Sequence, residues 1–327
     1  MKTSKRLALC AALAAACAAP SALAQAAKPK FPDGPLRIIV PFAAGGGVDQ
    51  AARLFGKQMQ SSLGVPVVVE NRGGASGTLG GKAVQTATPD GQTVLFSAFT
   101  HILTKQVLAA PPYDPITDFA PVARVGEAPL LMVISPTLAP KTLSEVVAAA
   151  KAQPDKWTAT LPALGAPSHL ATLLLARQTS LNLQMVPYKG TAPALVDVAG
   201  GHAQILMDSI VSILPMAKSG KVKPIAVTSA KRSGVAPEIP TAAEAGYPGI
   251  VFSTWYAFWA PKDTPADRIA VLHKAANDAA ADLVKSGSLT TLGIDAISES
   301  IEQFRKAQAA TLAQSTELLK GAGFKPE

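Results

Sequence analysis

The sequence predicts an α/β fold of two lobes for this chain of 327 residues. Three observations carry that expectation. Short apolar runs alternate with stretches of helical spacing along nearly the whole length, the pattern of layered, mostly parallel sheets. Several of those runs end in small or polar residues, where open sheets of this kind bind ligands. Two segments, 120–134 and 250–261, stay extended for longer than one strand and lack helical periodicity, which suits crossings between lobes.

Taken in order, Leu36–Val40 reads as a buried strand, and Val48, Ala51, Ala52, Phe55 and Met59 then mark one face of a helix. Gly64 sits where a helix ends, before a strand over 65–70. The turn Pro89-Asp90-Gly91 introduces a strand over 93–97. Thr142 and Glu145 form a capping-box pair opening a helix to about residue 153. Strands at Thr158–Leu161, 184–186, 204–208 and 224–229 alternate with helices at 168–179, 192–199 and 210–219. Two long helices, 264–286 and 298–320, flank a short strand near the end.

The first residues stand apart. Lys2, Lys5 and Arg6 precede an apolar run over 7–19, and Ala22-Leu23-Ala24 has the form of a cleavage site, so 1–24 reads as a Sec signal peptide. Both cysteines, Cys10 and Cys17, fall inside it, and Ala14-Ala15-Ala16 lacks the leucine expected before an acylated cysteine. The mature chain then carries neither disulfide nor thiol chemistry, and periplasmic location is expected. Removing three basic residues lowers the net charge from +8 to +5, and the remaining basic residues are scattered, which argues against nucleic acid.

The stretch Val40-Pro41-Phe42-Ala43-Ala44-Gly45-Gly46-Gly47 joins a strand to a helix through three glycines. A phosphate loop fails at Gly81-Lys82, because Ser76 stands at the first glycine position and Ala83 follows the lysine. A dinucleotide fingerprint fails at Gln50. What remains is a helix N-terminus with bare amides, suited to a carboxylate, or a turn serving only the fold. His101, His169, His202 and His273 show no metal-ligand spacing, and no nucleophile elbow is present, so catalytic, metal and cofactor sites are all expected to be absent. His169 reads as a loop-orienting residue. Asp49 reads as an acid favouring the first helical turn, and Asp208 as a carboxylate at a strand tip, capping the next helix or touching a ligand. Lys189 either neutralises an anion or is a solvated surface residue.

Eight motifs occur in order: Val40-Pro-Phe-Ala-Ala-Gly-Gly46, Val67-Val-Val-Glu-Asn-Arg72, Thr88-Pro-Asp-Gly91, Tyr113-Asp-Pro115 with Asp118-Phe-Ala-Pro121, Ser168-His-Leu170, Val186-Pro-Tyr-Lys-Gly190, Ala226-Val-Thr-Ser-Ala-Lys-Arg232, and Pro240-Thr241 with Glu244-Ala-Gly246. Together they resemble the Bug-type extracytoplasmic receptors, the substrate-binding components of tripartite tricarboxylate transporters, over about residues 31–325. Each motif is loose, but eight in register are specific.

The resemblance implies a type II, Venus-flytrap periplasmic binding protein with two crossing strands, closing on a small organic acid. It implies lobe 1 from 28–123 and 255–327, lobe 2 from 124–254, a monomer, and membrane transporter subunits or a sensor protein as partner. It places the ligand carboxylate on main-chain amides and waters. The binding residues it implies are Phe42, Ala43, Ala44, Gly45, Gly46, Gly47, Ser97, Ala98, Phe99 and Thr100 in lobe 1, and Gly165, Ala166, Ser168, His169, Asp208 and Ser209 in lobe 2. Val48, Ala166, Pro167 and Phe99 replace smaller or more polar residues of that pattern, which suggests an aromatic or longer aliphatic carboxylate rather than citrate. A periplasmic hydrolase and a structural surface protein are the rivals from other classes. The first lacks its motifs, and the second has no need of bare strand ends.

Overall fold

Residues 31–327 are described by the computed structural model, so the expected signal peptide and both cysteines lie outside the described residues. Among the described residues no helix is long and apolar enough to cross a membrane.

The first half-sheet grows from strand β1 (Leu36–Val40), which pairs in parallel with β2 (Val67–Asn71) and β3 (Thr93–Ala98). Between β1 and β2 runs α1 (Gly47–Leu63), whose Ala51, Ala52, Phe55 and Met59 are buried as its apolar spacing requires. It ends at Gly64, φ 69°, where a left-handed residue lets the amide return to the Gln60 carbonyl. α2 (Thr78–Gln85) follows β2, and a 3-10 turn over Phe99–Leu103 with the short α3 (Thr104–Val107) follows β3.

β4 (Phe119–Ile134) is the first crossing strand. Phe119 to Pro129 pairs antiparallel with β9 (Ser253–Pro261), and Leu130 to Ile134 pairs with β7 (Ile205–Ser209). Partners thus change between Pro129 and Leu130. Thr228, just beyond β8 (Lys223–Val227), clasps that point: its hydroxyl accepts from the Leu130 amide at 2.9 Å and donates to the Phe252 carbonyl at 2.6 Å.

The second half-sheet repeats the strand–helix rhythm. α4 (Leu143–Ala152), β5 (Thr158–Leu161), α5 (Pro167–Thr179), β6 (Gln184–Pro187) and α6 (Thr191–Gly200) lead to β7, α7 (Ile210–Lys218) and β8. β5 lies parallel to both β6 and β7. The sheet is mixed: the expected parallel pairing joins β1 to β2 and β3, and β5 to β6 and β7, whereas both crossing strands run antiparallel to every neighbour, β8 included. α8 (Ala266–Lys285), α9 (Ser288–Leu292), β10 (Asp295–Ala296) and α10 (Ile301–Gly321) complete the chain.

Helix ends differ in one detail from the sequence reading. The Thr142 hydroxyl accepts from the Glu145 amide, but Glu145 turns to the Lys141 amide, so the box is half formed. The complete box is Ser300 with Gln303, at the start of α10. β9 separates two environments. Tyr256 and Phe258 join Phe55 and Phe96 on one face, and Trp255 and Trp259 pack with Phe99 and Phe304 on the other.

Candidate ligand-binding site

The glycine loop is shaped from inside. Pro41 and Phe42 follow the end of β1 at Val40, and the Ala43 amide donates to the Lys189 carbonyl in the other half at 3.1 Å. Gly45, at φ 86°, turns the chain and Gly46, at φ −75° and ψ 169°, is the N-cap of α1. Of the three glycines only Gly45 needs the left-handed region. The Asp49 carboxylate folds back to accept from the Gly45 amide at 2.9 Å, Arg53 Nε at 3.1 Å and Asn71 Nδ2 at 2.9 Å. Asn71 also donates to the Phe42 carbonyl at 3.1 Å. Burial would push the Asp49 carboxyl up, but the bonds from Arg53, Gly45 and Asn71 outweigh it and hold the group below its ordinary value. With the Ala43 and Gly45 amides engaged, the amides of Gly46, Gly47 and Val48 are those a helix start leaves to an external acceptor.

The second half brings a wall of hydroxyls and one acid. Thr191, at the start of α6, donates to Asp208 Oδ2 at 2.5 Å, and Ser209 Oγ lies 2.6 Å from Tyr256 Oη. Ser209, rather than Asp208, caps the next helix, accepting from the Val211 amide. Burial pushes the Asp208 carboxyl up to about 6, against the Thr191 and Ser209 bonds that favour its charged form.

His169 accepts from the Gly165 amide at 3.1 Å through Nδ1, and burial pushes its imidazole down to about 4. It holds the loop as a neutral ring. Gly165 itself, at φ 71°, lies so close to the first half that a Cβ would sit 3.1 Å from that of Leu103.

The two walls face each other across a small cleft of about 30 Å³. The approach is close: a Cβ on Gly47 would meet Tyr256 Oη at 3.3 Å and Ser209 Cβ at 3.4 Å, and one on Gly46 would meet Thr191 at 3.5 Å. Of the residues expected from sequence, Phe42, Gly46, Gly47, Ala98, Thr100, Ala166, Asp208 and Ser209 line the cleft. Ala43, Ala44, Gly45 and Gly165 in the bordering loops, and Ser168 and His169 in the first turn of α5, do not line it. Ser97 and Phe99 do not reach it. Strand alternation sends Ser97 to the face opposite Ala98, and the Phe99 ring packs 5.8 Å from Trp255 and 6.0 Å from Phe252. It borders a separate groove of about 790 Å³ on the other face of β9. The ring thus lends no support to an aromatic ligand.

Val48, Asp49, Pro162, Pro167, Thr191, Thr254 and Tyr256, which are not among the binding residues implied by the resemblance, also line the cleft. Thr191 had a signal, as the polar end of the segment after β6. Tyr256 had none, since nothing local tells which face of a crossing strand meets the cleft. Lys189 is exposed and contributes its carbonyl, not its charge. Among the described residues no group of three or more His, Cys, Asp or Glu is placed to hold a metal.

Two α/β halves joined by paired crossing strands, with a cleft between helix starts and strand tips, define the class of periplasmic solute-binding proteins. The chain belongs to the tripartite tricarboxylate transporter family of receptors, whose family model matches residues 51–324. It is 39% identical over 251 residues to Protein BugT of Bordetella pertussis, covering 76% of this chain and 77% of that one. The solved periplasmic binding protein BugD superposes with a TM-score of 0.86 at 34% identity, covering 91% of this chain and all of BugD. The R. palustris protein Rpa4515, solved with adipate, superposes with a TM-score of 0.86 at 30% identity, covering 91% of this chain and all of that one. The family is one of receptors, not enzymes.

Proposed function

We propose that this receptor captures a small organic carboxylate in the periplasm and delivers it, as a monomer, to membrane subunits of a tripartite tricarboxylate-type transporter. The observation that carries the reading is the set of amides at Gly46, Gly47 and Val48, at the start of a 17-residue helix and opening into the cleft. Such a helix start combines oriented donors with a favourable dipole, and needs no basic side chain to hold an anion. Thr191 and Ser209 supply polar contacts from the other half, and Tyr256 adds one from β9. Adipate in Rpa4515 supports an aliphatic dicarboxylate of that length as a ligand class, and a cleft of about 30 Å³ has to widen to admit it. The division into lobe 1 (28–123 and 255–327) and lobe 2 (124–254) is supported in pattern by the change of partners along β4, which falls a few residues later, after Pro129.

A thermal-shift screen with adipate, malate and benzoate tests the reading. A carboxylate present at 100 times its dissociation constant adds about 2.7 kcal/mol to stability. It should be recovered unchanged by chromatography after incubation. Chemical conversion of the bound acid, or the absence of any shift, would contradict the proposal.

A further inference from the structure

We propose that Asp208 meets the ligand carboxylate as its protonated acid, so that each binding event takes up one proton from solution. The inference rests on the carboxylate reading above and adds a chemical condition to it. Among the described residues, the ionisable side chains lining the cleft are Asp49, Asp208 and Tyr256, and none is basic. Asp49 is occupied by Arg53, Asn71 and the Gly45 amide. Asp208 has only neutral partners, the Thr191 hydroxyl and the Ser209 amide.

Thr191 also fixes how near the two anions must come. Its hydroxyl oxygen lies 3.5 Å from the Cβ position of Gly46 and 2.5 Å from Asp208 Oδ2. The Gly46 Cβ position and Asp208 Oδ2 are therefore no more than about 6 Å apart, which puts a carboxylate seated on the Gly46, Gly47 and Val48 amides beside Asp208 in the same cleft. Two carboxylates beside each other, one of them the buried Asp208, share one proton rather than both ionise. The hydroxyl of a protonated Asp208 then donates to the ligand, which removes the repulsion and satisfies both groups. Burial, which outweighs the Thr191 and Ser209 bonds, has already brought Asp208 to about 6, so the proton is within reach near neutral pH.

The surrounding groups leave Asp208 as the one that titrates. Tyr256 of β9 is held neutral by burial and bonds Ser209. His169 of α5 is neutral and bonds the Gly165 amide. On α6, Asp197 is bonded to Tyr188, and Thr191 is the group that faces Asp208. β4, β5 and α7 bring no ionisable side chain to the cleft lining.

Isothermal titration with adipate, malate and benzoate from pH 6.5 to 8.5 tests the proposal, since all three acids stay ionised there. Affinity should fall by about tenfold per unit rise in pH. Heats measured in phosphate and in Tris should differ by the uptake of about one proton. Asp208→Asn, which offers a fixed donor, should bind at pH 7.5 with a flat pH profile, whereas Asp208→Ala should bind weakly throughout. Tight binding with no proton uptake overturns this inference and leaves the receptor reading intact, as does loss of binding in a folded Asp208→Asn. If none of the three acids binds at any pH, the carboxylate reading fails and this proposal with it.

Discussion

The Asp49 carboxylate gathers three donors, and its neighbour Asn71 ties the same network to the Phe42 carbonyl. Asp49→Ala strands the Gly45 amide and the Asn71 side chain. It should cost about 1–3 kcal/mol in denaturant unfolding. Ligand affinity should fall with it, because the free amides lose their aim. The glycines divide the work. Gly45→Ala should cost about 1–2 kcal/mol through its positive φ, since the nearest atom to its Cβ, that of Ala192, is 3.9 Å away. Gly47→Val should abolish tight binding and lower stability as well, because its side chain would drive into Tyr256 and Ser209, only 3.3 and 3.4 Å from the Cβ position. Unchanged titration curves for Gly47→Val would contradict this account. In sequence the three glycines look alike. What separates them is a tyrosine about two hundred positions away, and no local pattern carries that information.

At the scale of elements, β4 and β9 join the two halves, and Thr228 pins both at the point where β4 changes partners. Thr228→Val keeps the shape and removes a hydroxyl that both accepts and donates. It should cost about 1–3 kcal/mol, read as a lower urea midpoint. A midpoint equal to wild type would remove Thr228 from this role. Most elements were legible because burial imposes its period on the chain: the Ala51, Ala52, Phe55 and Met59 stripe and the run Leu36–Val40, apolar but for the exposed Arg37, needed no tertiary knowledge. The pattern is ambiguous where a strand gives out. Residues 97 to 100 look like one polar tip, but β3 still alternates through Ala98 and a 3-10 turn then carries Phe99 to the opposite face.

For the whole molecule, the buried ionisable groups set the response to acid. His101, pushed down to about 3, and His169, at about 4, stay neutral in the native state, against 6.5 in an unfolded chain. Their contribution is present above pH 6.5 and is lost as pH falls through the lower values. Asp208 acts in the opposite sense: its contribution is full below its ordinary 3.8 and is lost as pH rises to about 6. Asp208→Asn should therefore raise the stability of the ligand-free protein at pH 7 and steepen its decline below pH 6. Urea titrations from pH 4.5 to 8 check this, and parallel curves for the two proteins would contradict it.

The claim on which the molecule's function turns is that main-chain donors at the start of α1 hold the ligand's carboxylate. Amide-resolved NMR of the labelled protein, titrated with adipate, tests this most directly. The account predicts that the Gly46, Gly47 and Val48 amide protons move furthest downfield. The Gly45 amide, already held by Asp49, should move little. If the largest shifts fall instead on Phe252, Ser253 and Trp255, beside the groove on the other face of β9, the cleft is not where the acid binds.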